Sequence, residues 1–198
     1  MSDFKDLLTK RRSQYAIGAN TDVTAADVTA ALNEVIPQVP SAFNSQATRV
    51  VVVSGENNVK LWELVKNVQK DVLDEATLNY MTPIMDGARD AVGTILFFED
   101  RDAVESGIPA NEERRLIYKN HASANAQLTT WLTLTELGLG ANLQHFNIGY
   151  EQGFDRSIRE LLDLSESWEL IAQMPFGSIE APAADKETIA SSELVIER

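Results

Sequence analysis

Three short stretches of this chain gather side chains capable of chemistry beyond folding. The first, Arg11-Arg12-Ser13-Gln14-Tyr15, sets two guanidiniums beside a hydroxyl. Arginine forks donate paired, charge-assisted hydrogen bonds to phosphate oxygens, so this stretch can clamp a phosphate. Basic residues also suit the C-terminus of a helix, where they complement the dipole, and the pattern alone leaves both readings open. The second stretch is Pro40-Ser41-Ala42-Phe43-Asn44-Ser45-Gln46. Its hydroxyls and amides can hydrogen-bond the edge of a polar heteroaromatic ring while Phe43 supplies an apolar wall. An ordinary turn between a helix and a strand is the competing account. The third runs from Gly138-Leu139-Gly140 through Ala141-Asn142-Leu143-Gln144-His145-Phe146-Asn147. Small residues there permit close backbone approach to a flat ligand, and the amides and imidazole can meet its edge. A helix C-cap explains the glycines equally well, but not the polar cluster after them.

Other chemistries find little support. The chain has no cysteine, which removes disulfides, thiolate metal sites and cysteine nucleophiles and fits a cytoplasmic protein. Its two histidines, His121 and His145, lack companion ligands at zinc spacing, and His121 reads as a structural residue within a long helix. Glu112-Glu113-Arg114-Arg115 reads as a solvated, salt-bridged helix face. No Gly-x-Gly-x-x-Gly follows a strand, so a Rossmann nucleotide site is not offered. Thirty acidic against seventeen basic residues give a net charge of −13, which repels nucleic acid and anionic membranes. Against that field the cluster Lys10-Arg11-Arg12 stands out as an anion site. The opening Met1-Ser2-Asp3-Phe4-Lys5-Asp6 is too charged for a signal peptide, and no apolar run nears the roughly 20 residues of a membrane span. The expectation is a soluble chain with neither nucleic-acid nor membrane partners.

The elements that must position these stretches follow from periodicity. At 198 residues, 44% of them hydrophobic, one domain over 1–198 is expected, without repeats or linkers. Phe4, Leu7, Leu8 and Arg11 share a helical face, with Ser2 or Asp3 as N-cap. Thr24-Ala25-Ala26-Asp27 has capping-box form and opens a helix carrying Val28, Leu32, Val35 and Ile36 until Pro37. Arg49 to Val53 does not alternate, as suits a strand covered on both faces. Leu61, Leu64, Val65, Val68 and Val72 mark a further helix, and Val92 to Phe98 a second buried strand. Asn111 to Leu137 reads as the longest helix, with Leu128, Trp131, Leu132 and Leu134 as its apolar surface. A short strand at 141–143, a helix at 155–162 and a strand at 168–174 complete an α+β pattern. The tail, about 176–198, carries Lys186 and the apolar group Leu194, Val195 and Ile196, and is expected to pack on a partner subunit.

Taken in order, an early Arg-Arg-Ser, a Pro-Ser-x-x-Asn-x-Gln loop before the first strand, a Gly-Leu-Gly after a long helix and a late lysine resemble the nitroreductase family. Arg-Arg-Ser-x-Tyr-Ala together with Asn-Leu-Gln-His looks most like its compact bacterial and fungal subgroup, named after a yeast fatty-acid-repression protein. The resemblance implies a central, mostly antiparallel sheet flanked by helices, and a homodimer with an exchanged C-terminal tail. FMN would sit in two pockets at the subunit interface. Carried over, Arg11 and Ser13 would hold the FMN phosphate, with Arg12 and Tyr15 beside it and Lys186 adding a cation. Pro40, Ser41, Phe43, Asn44 and Gln46 would face the isoalloxazine, partly from the second subunit, and Leu143, Gln144 and His145 would lie along its other side. Three departures stand out: Tyr15 replaces a basic residue that many relatives carry, Thr188 another, and the asparagine that larger bacterial members carry ahead of the middle strand has no counterpart near Ile84 to Asp90. The implied activity is NADH- or NADPH-dependent reduction of nitroaromatic or quinone acceptors through one shared pocket, by ping-pong exchange. The alternative is a flavin-binding regulatory or stress-response protein with little turnover.

Overall fold

The computed structural model describes residues 4–146 and 154–198, so the expectations placed on Ser2, Asp3 and Asn147 lie outside the described residues. Its frame is an antiparallel sheet. Strand β3 (Gly93–Asp100) is flanked by β2 (Thr48–Ser54) on one side and β5 (Trp168–Ile179) on the other. Further along, β5 pairs with β1 (Ile17–Gly18) and β4 (Gly140–Ala141). Strand residues alternate between faces, and here both faces are apolar because helices cover both. Leu96 and Phe98 join Val51 and Val53 beneath α3 (Gly55–Val72), α4 (Glu75–Asp90) and α7 (Phe154–Leu162). Ile95 and Phe97 join Val50 and Val52 beneath α2 (Ala25–Val35) and α6 (Glu112–Glu136). The non-alternating valine run is thus covered on both faces, although β2 pairs on one side only among the described residues.

Capping sets the helix boundaries. Thr24 and Asp27 form the reciprocal capping box at the start of α2, and Pro37 turns the chain into the 3-10 turn Ile36–Gln38. Three features depart from expectation. Helix α4 carried no expectation, yet Asp74 caps it by accepting from Thr77 N, and Met85 and Ala88 bury its inner face despite Pro83. Helix α5 (Arg101–Gly107) likewise follows directly from an Asp100 cap. Strand β5 runs five residues beyond Met174, through Pro175. Proline removes one donor but not the strand, and the Pro175 carbonyl still accepts from Asn142 N at 3.4 Å. What was expected as the start of the tail is therefore sheet.

The longest helix also faces otherwise than expected. Its buried stripe is mostly small, Ala122, Ser123, Ala126, Thr130 and Thr133 with Leu134, so α6 lies close against the sheet. Leu116, Ile117 and Leu128 face outward and are exposed, and His121 is exposed as well. Among the described residues, no helix is long and apolar enough to cross a membrane.

Candidate functional site

Helix α1 (Phe4–Lys10) ends before the arginines, so Lys10 occupies its last turn and Arg11 and Arg12 begin an extended segment. That segment is pinned to β4: Gln14 N donates to the Ala141 carbonyl at 2.9 Å, and Asn142 Nδ2 donates to the Gln14 carbonyl at 2.8 Å. Arg11, Arg12, Ser13 and Tyr15 then line a cavity of about 530 Å3 whose opposite wall is Ala181 to Lys186 of the same chain. Arg12 donates to the Ala184 carbonyl. The Arg11 guanidinium lies 4.5 Å above the Trp131 ring of α6, which covers its face and leaves its N–H edge for an anion. Asp185 is the single acid on this wall.

The 40–46 loop adopts a costly backbone. Phe43, Asn44 and Gln46 have φ of 55°, 53° and 46°, the left-handed region that non-glycine residues rarely occupy. Several contacts hold it there. Gln46 N donates to Ser41 Oγ at 3.0 Å, and Asn125 Nδ2 of α6 donates to the Pro40 carbonyl at 3.3 Å. Arg49 donates to the Gln46 carbonyl at 2.6 Å and pairs with Asp100 at 2.9 Å. Phe43, otherwise exposed, meets Tyr118 edge-on with centroids 6.1 Å apart. Pro40, Ser41 and Gln46 line a second cavity of about 230 Å3 with Thr48, Arg49, Ala122 and Ala126. Phe43 and Asn44 stay outside that lining.

The third stretch resolves its glycines. Gly138, at φ 79°, is the left-handed residue after α6, with Leu139 N bonded back to the Leu134 carbonyl at 2.9 Å. A Cβ on Gly140 would stand 2.8 Å from Ile179 Cγ1 and 3.0 Å from Gln14 Cβ. The close approach is thus between chain segments, whereas a flat ligand was the expected neighbour. Gln144 is buried, its Nε2 donating to Asn142 Oδ1 at 2.5 Å. Leu143 packs into the cluster beneath α2 and α6, and of the three expected ring contacts only His145 is exposed.

One buried group had no signal in the sequence beyond its place at the end of an apolar strand. Glu99 is fully buried on the α6 face of β3, where its Oε1 accepts from Thr48 Oγ1 at 2.6 Å. Burial pushes its carboxyl up to about 7, against the lowering influence of Thr48, Lys119 and Arg49. Trp131 and Arg49 carried only helix and strand readings and Thr48 none, yet they line or support the two cavities.

The sequence model of the Nitroreductase family matches residues 8–178. The chain belongs to the nitroreductase family. It is 34% identical over 188 residues to the Saccharomyces cerevisiae protein HBN1, covering 92% of this chain and 91% of that one, which sets it in the yeast-like subgroup. The structure of nitroreductase CinD from Lactococcus lactis, solved in complex with chloramphenicol, superposes with a TM-score of 0.86 at 34% identity, over 99% of this chain and 100% of that one. CinD was also solved with nicotinic acid and with 4-nitrophenol. A nitroreductase from Exiguobacterium sibiricum in complex with FMN shares the fold, with a TM-score of 0.73 at 14% identity over 100% of this chain and 98% of that one. As a nitroreductase this chain is an oxidoreductase.

Proposed function

We propose that this nitroreductase binds FMN and, as a homodimer, uses NADH or NADPH to reduce nitroaromatic or quinone acceptors. One observation carries the reading: in a chain of net charge −13, Arg11, Arg12 and Lys186 converge with Ser13 on one cavity. The donor set fits a phosphate monoester, because two guanidiniums, an ammonium and a hydroxyl can satisfy its oxygens with charge-assisted hydrogen bonds. Arg11 and Arg12 would hold the phosphate, Ser13 would donate to it, and Lys186 would close the site from the tail with Tyr15 at the rim. The complexes of CinD with chloramphenicol, 4-nitrophenol and nicotinic acid support an aromatic acceptor and a nicotinamide donor.

FMN held there would supply the hydride chemistry that links a reduced nicotinamide to the acceptor. The chain's own residues bind, orient and exclude water. Ser41 and Gln46, on the strained loop, would meet the ring edge, with Pro40 as apolar wall; Phe43, Asn44 and His145 are exposed and stay outside that lining. At about 230 Å3 the loop cavity is smaller than the roughly 300–1,000 Å3 usual for small-ligand sites, so a second subunit would supply the missing wall. The exposed Phe4, Leu116 and Leu128 support such an interface. Lys186 lines the same cavity as Arg11, Arg12 and Ser13 of its own chain, so any exchange of the tail would involve the residues beyond it.

The test is to add FMN, riboflavin and FAD to the purified protein and then NADH or NADPH. About one FMN per chain, riboflavin held far more weakly, and rapid bleaching of the flavin are expected. Failure of FMN to bind would overturn the reading, and binding without bleaching would indicate a flavin-holding protein.

A further inference from the structure

Glu99 is fully buried and its Oε2 has no hydrogen-bond partner, an unusual state for a carboxyl group. Its other oxygen accepts from Thr48 Oγ1, and Thr48 lines the cavity of the 40–46 loop. We propose that Glu99 is a positioning residue that acts through Thr48, setting whether that hydroxyl offers the cavity a hydrogen-bond acceptor or a donor. The proposal rests on reading that cavity as the flavin-ring site.

The argument is one of proton counting. A threonine hydroxyl has a single hydrogen. When Glu99 is ionised it has no proton to give, so Thr48 must donate to it, and only the lone pairs of Oγ1 remain for the cavity. When Glu99 is protonated its O–H can donate to Oγ1, which frees the Thr48 hydrogen to turn towards a ligand. No atom moves further than a hydroxyl rotation. The charged groups around the carboxyl are Arg49 on β2, Glu169 on β5 and Lys119 on α6. Lys119 is held by Glu169 at 2.6 Å, so its charge is shared and leaves Glu99 only partly compensated. With the carboxyl raised to about 7, both states are populated at neutral pH. A flavin ring edge consists mainly of carbonyl oxygens and bare nitrogens, so the donor state, present at lower pH, is the one that favours it.

The experiment measures FMN affinity at about pH 6 and about pH 8, on either side of that value of about 7, for the wild type, Glu99→Gln, Thr48→Val and Thr48→Ser. Titration of the FMN phosphate is common to all four and cancels in the comparison. Glu99→Gln, whose amide donates at either pH, serves as the flat reference: the wild type should match it at the lower pH and bind about two- to tenfold more weakly than it at the higher, the worth of one hydrogen bond. Thr48→Val should abolish this response and Thr48→Ser should keep it. Infrared difference spectra of the flavin-free wild type minus Glu99→Gln should show a protonated-carboxyl band at the lower pH that vanishes at the higher. Parallel pH profiles in wild type and Glu99→Gln, or no titrating carboxyl band, would overturn the role of Glu99 while leaving the flavin reading intact. A wild type that shows the band but binds no FMN at either pH would overturn the flavin reading, and the role of Glu99 with it.

Discussion

Arg11, whose guanidinium lies over the Trp131 ring, is held ready for the phosphate proposed above. A guanidinium stacked on an indole keeps its planar N–H edge free, and it loses less freedom on binding an oxyanion than a solvated arginine would. Arg11→Ala should loosen FMN by about 1.5–3 kcal/mol, the worth of a hydrogen bond to a charged group, with the fold intact by circular dichroism. Trp131→Leu should cost a smaller amount, about 0.5–1 kcal/mol, and Trp131→Phe should restore part of it. Flavin-fluorescence titration reads all three, and an unchanged affinity in Arg11→Ala would remove the phosphate assignment. Glu99 makes a separate statement about stability. Its carboxyl is raised from 4.5 to about 7 by burial, so the folded state holds the proton more tightly than the unfolded chain. That contribution is complete below pH 4.5 and is lost as the pH rises through about 7. Glu99→Gln should match the wild type in denaturant unfolding in acid. Above pH 7 it should be more stable by on the order of 1–3 kcal/mol, and a constant difference across that range would contradict the assignment.

The elements serve to bring distant stretches together, and one glycine is where they meet. Gly140 in β4 lies against Gln14, which follows the arginines, and against Ile179, which leads into the Lys186 segment. A methyl group there would have to displace one of them. Gly140→Ala should therefore destabilise the fold by about 1–3 kcal/mol and weaken FMN binding in the same protein, because both walls of the phosphate cavity shift. Thermal unfolding and flavin titration on one preparation check this, and loss of stability with full FMN affinity would show that the walls are set independently. Helices α2 and α6 were legible because caps and apolar spacing agree in each, and α3 by its apolar spacing alone, which left its first turn from Gly55 unread. Helix α4 was not, since Pro83 and Gly87 interrupt a pattern whose buried positions, Met85 and Ala88, are few. Helix α6 was legible in extent but not in orientation, because large side chains usually mark the buried face and here a small-residue stripe packs on the sheet.

At the scale of the whole molecule, exposed apolar residues gather on α6 and in the tail, besides separate positions such as Phe4, Phe43 and Tyr80. Ile189, Leu194, Val195 and Ile196 are each more than half exposed in the single chain. Burying such side chains contributes about 1.5–3 kcal/mol each before the cost of ordering the segment. Truncation after Lys186 should therefore weaken the dimer by sedimentation while the phosphate site keeps its cation. Lys186→Ala should do the reverse, loosening FMN and leaving the dimer nearly unchanged. A truncated protein that stays dimeric at the same concentrations would make the tail dispensable for assembly. The chain has no Rossmann fingerprint, so nicotinamide and acceptor are expected to share one pocket. Initial-rate plots against both substrates should then be parallel, and intersecting lines would require a second binding site.

The sequence by itself determined the α+β class, the extents of α2, α6 and α7, the two-faced burial of the central strands and the family, because these rest on local capping, periodicity and ordered motifs that a linear chain displays. It also supplied, as types, the residues proposed here to hold a phosphate, Arg11, Arg12, Ser13 and Lys186. That the last of these meets the first three within one chain was decided only by tertiary structure, through the pairing of β5 with β1 and β4 that returns the tail to the N-terminal segment. The same holds for Glu99, Thr48 and Trp131. Burial, a missing hydrogen-bond partner and a ring stacked beneath a guanidinium are relations between residues far apart in the chain, and no pattern in the linear sequence encodes them.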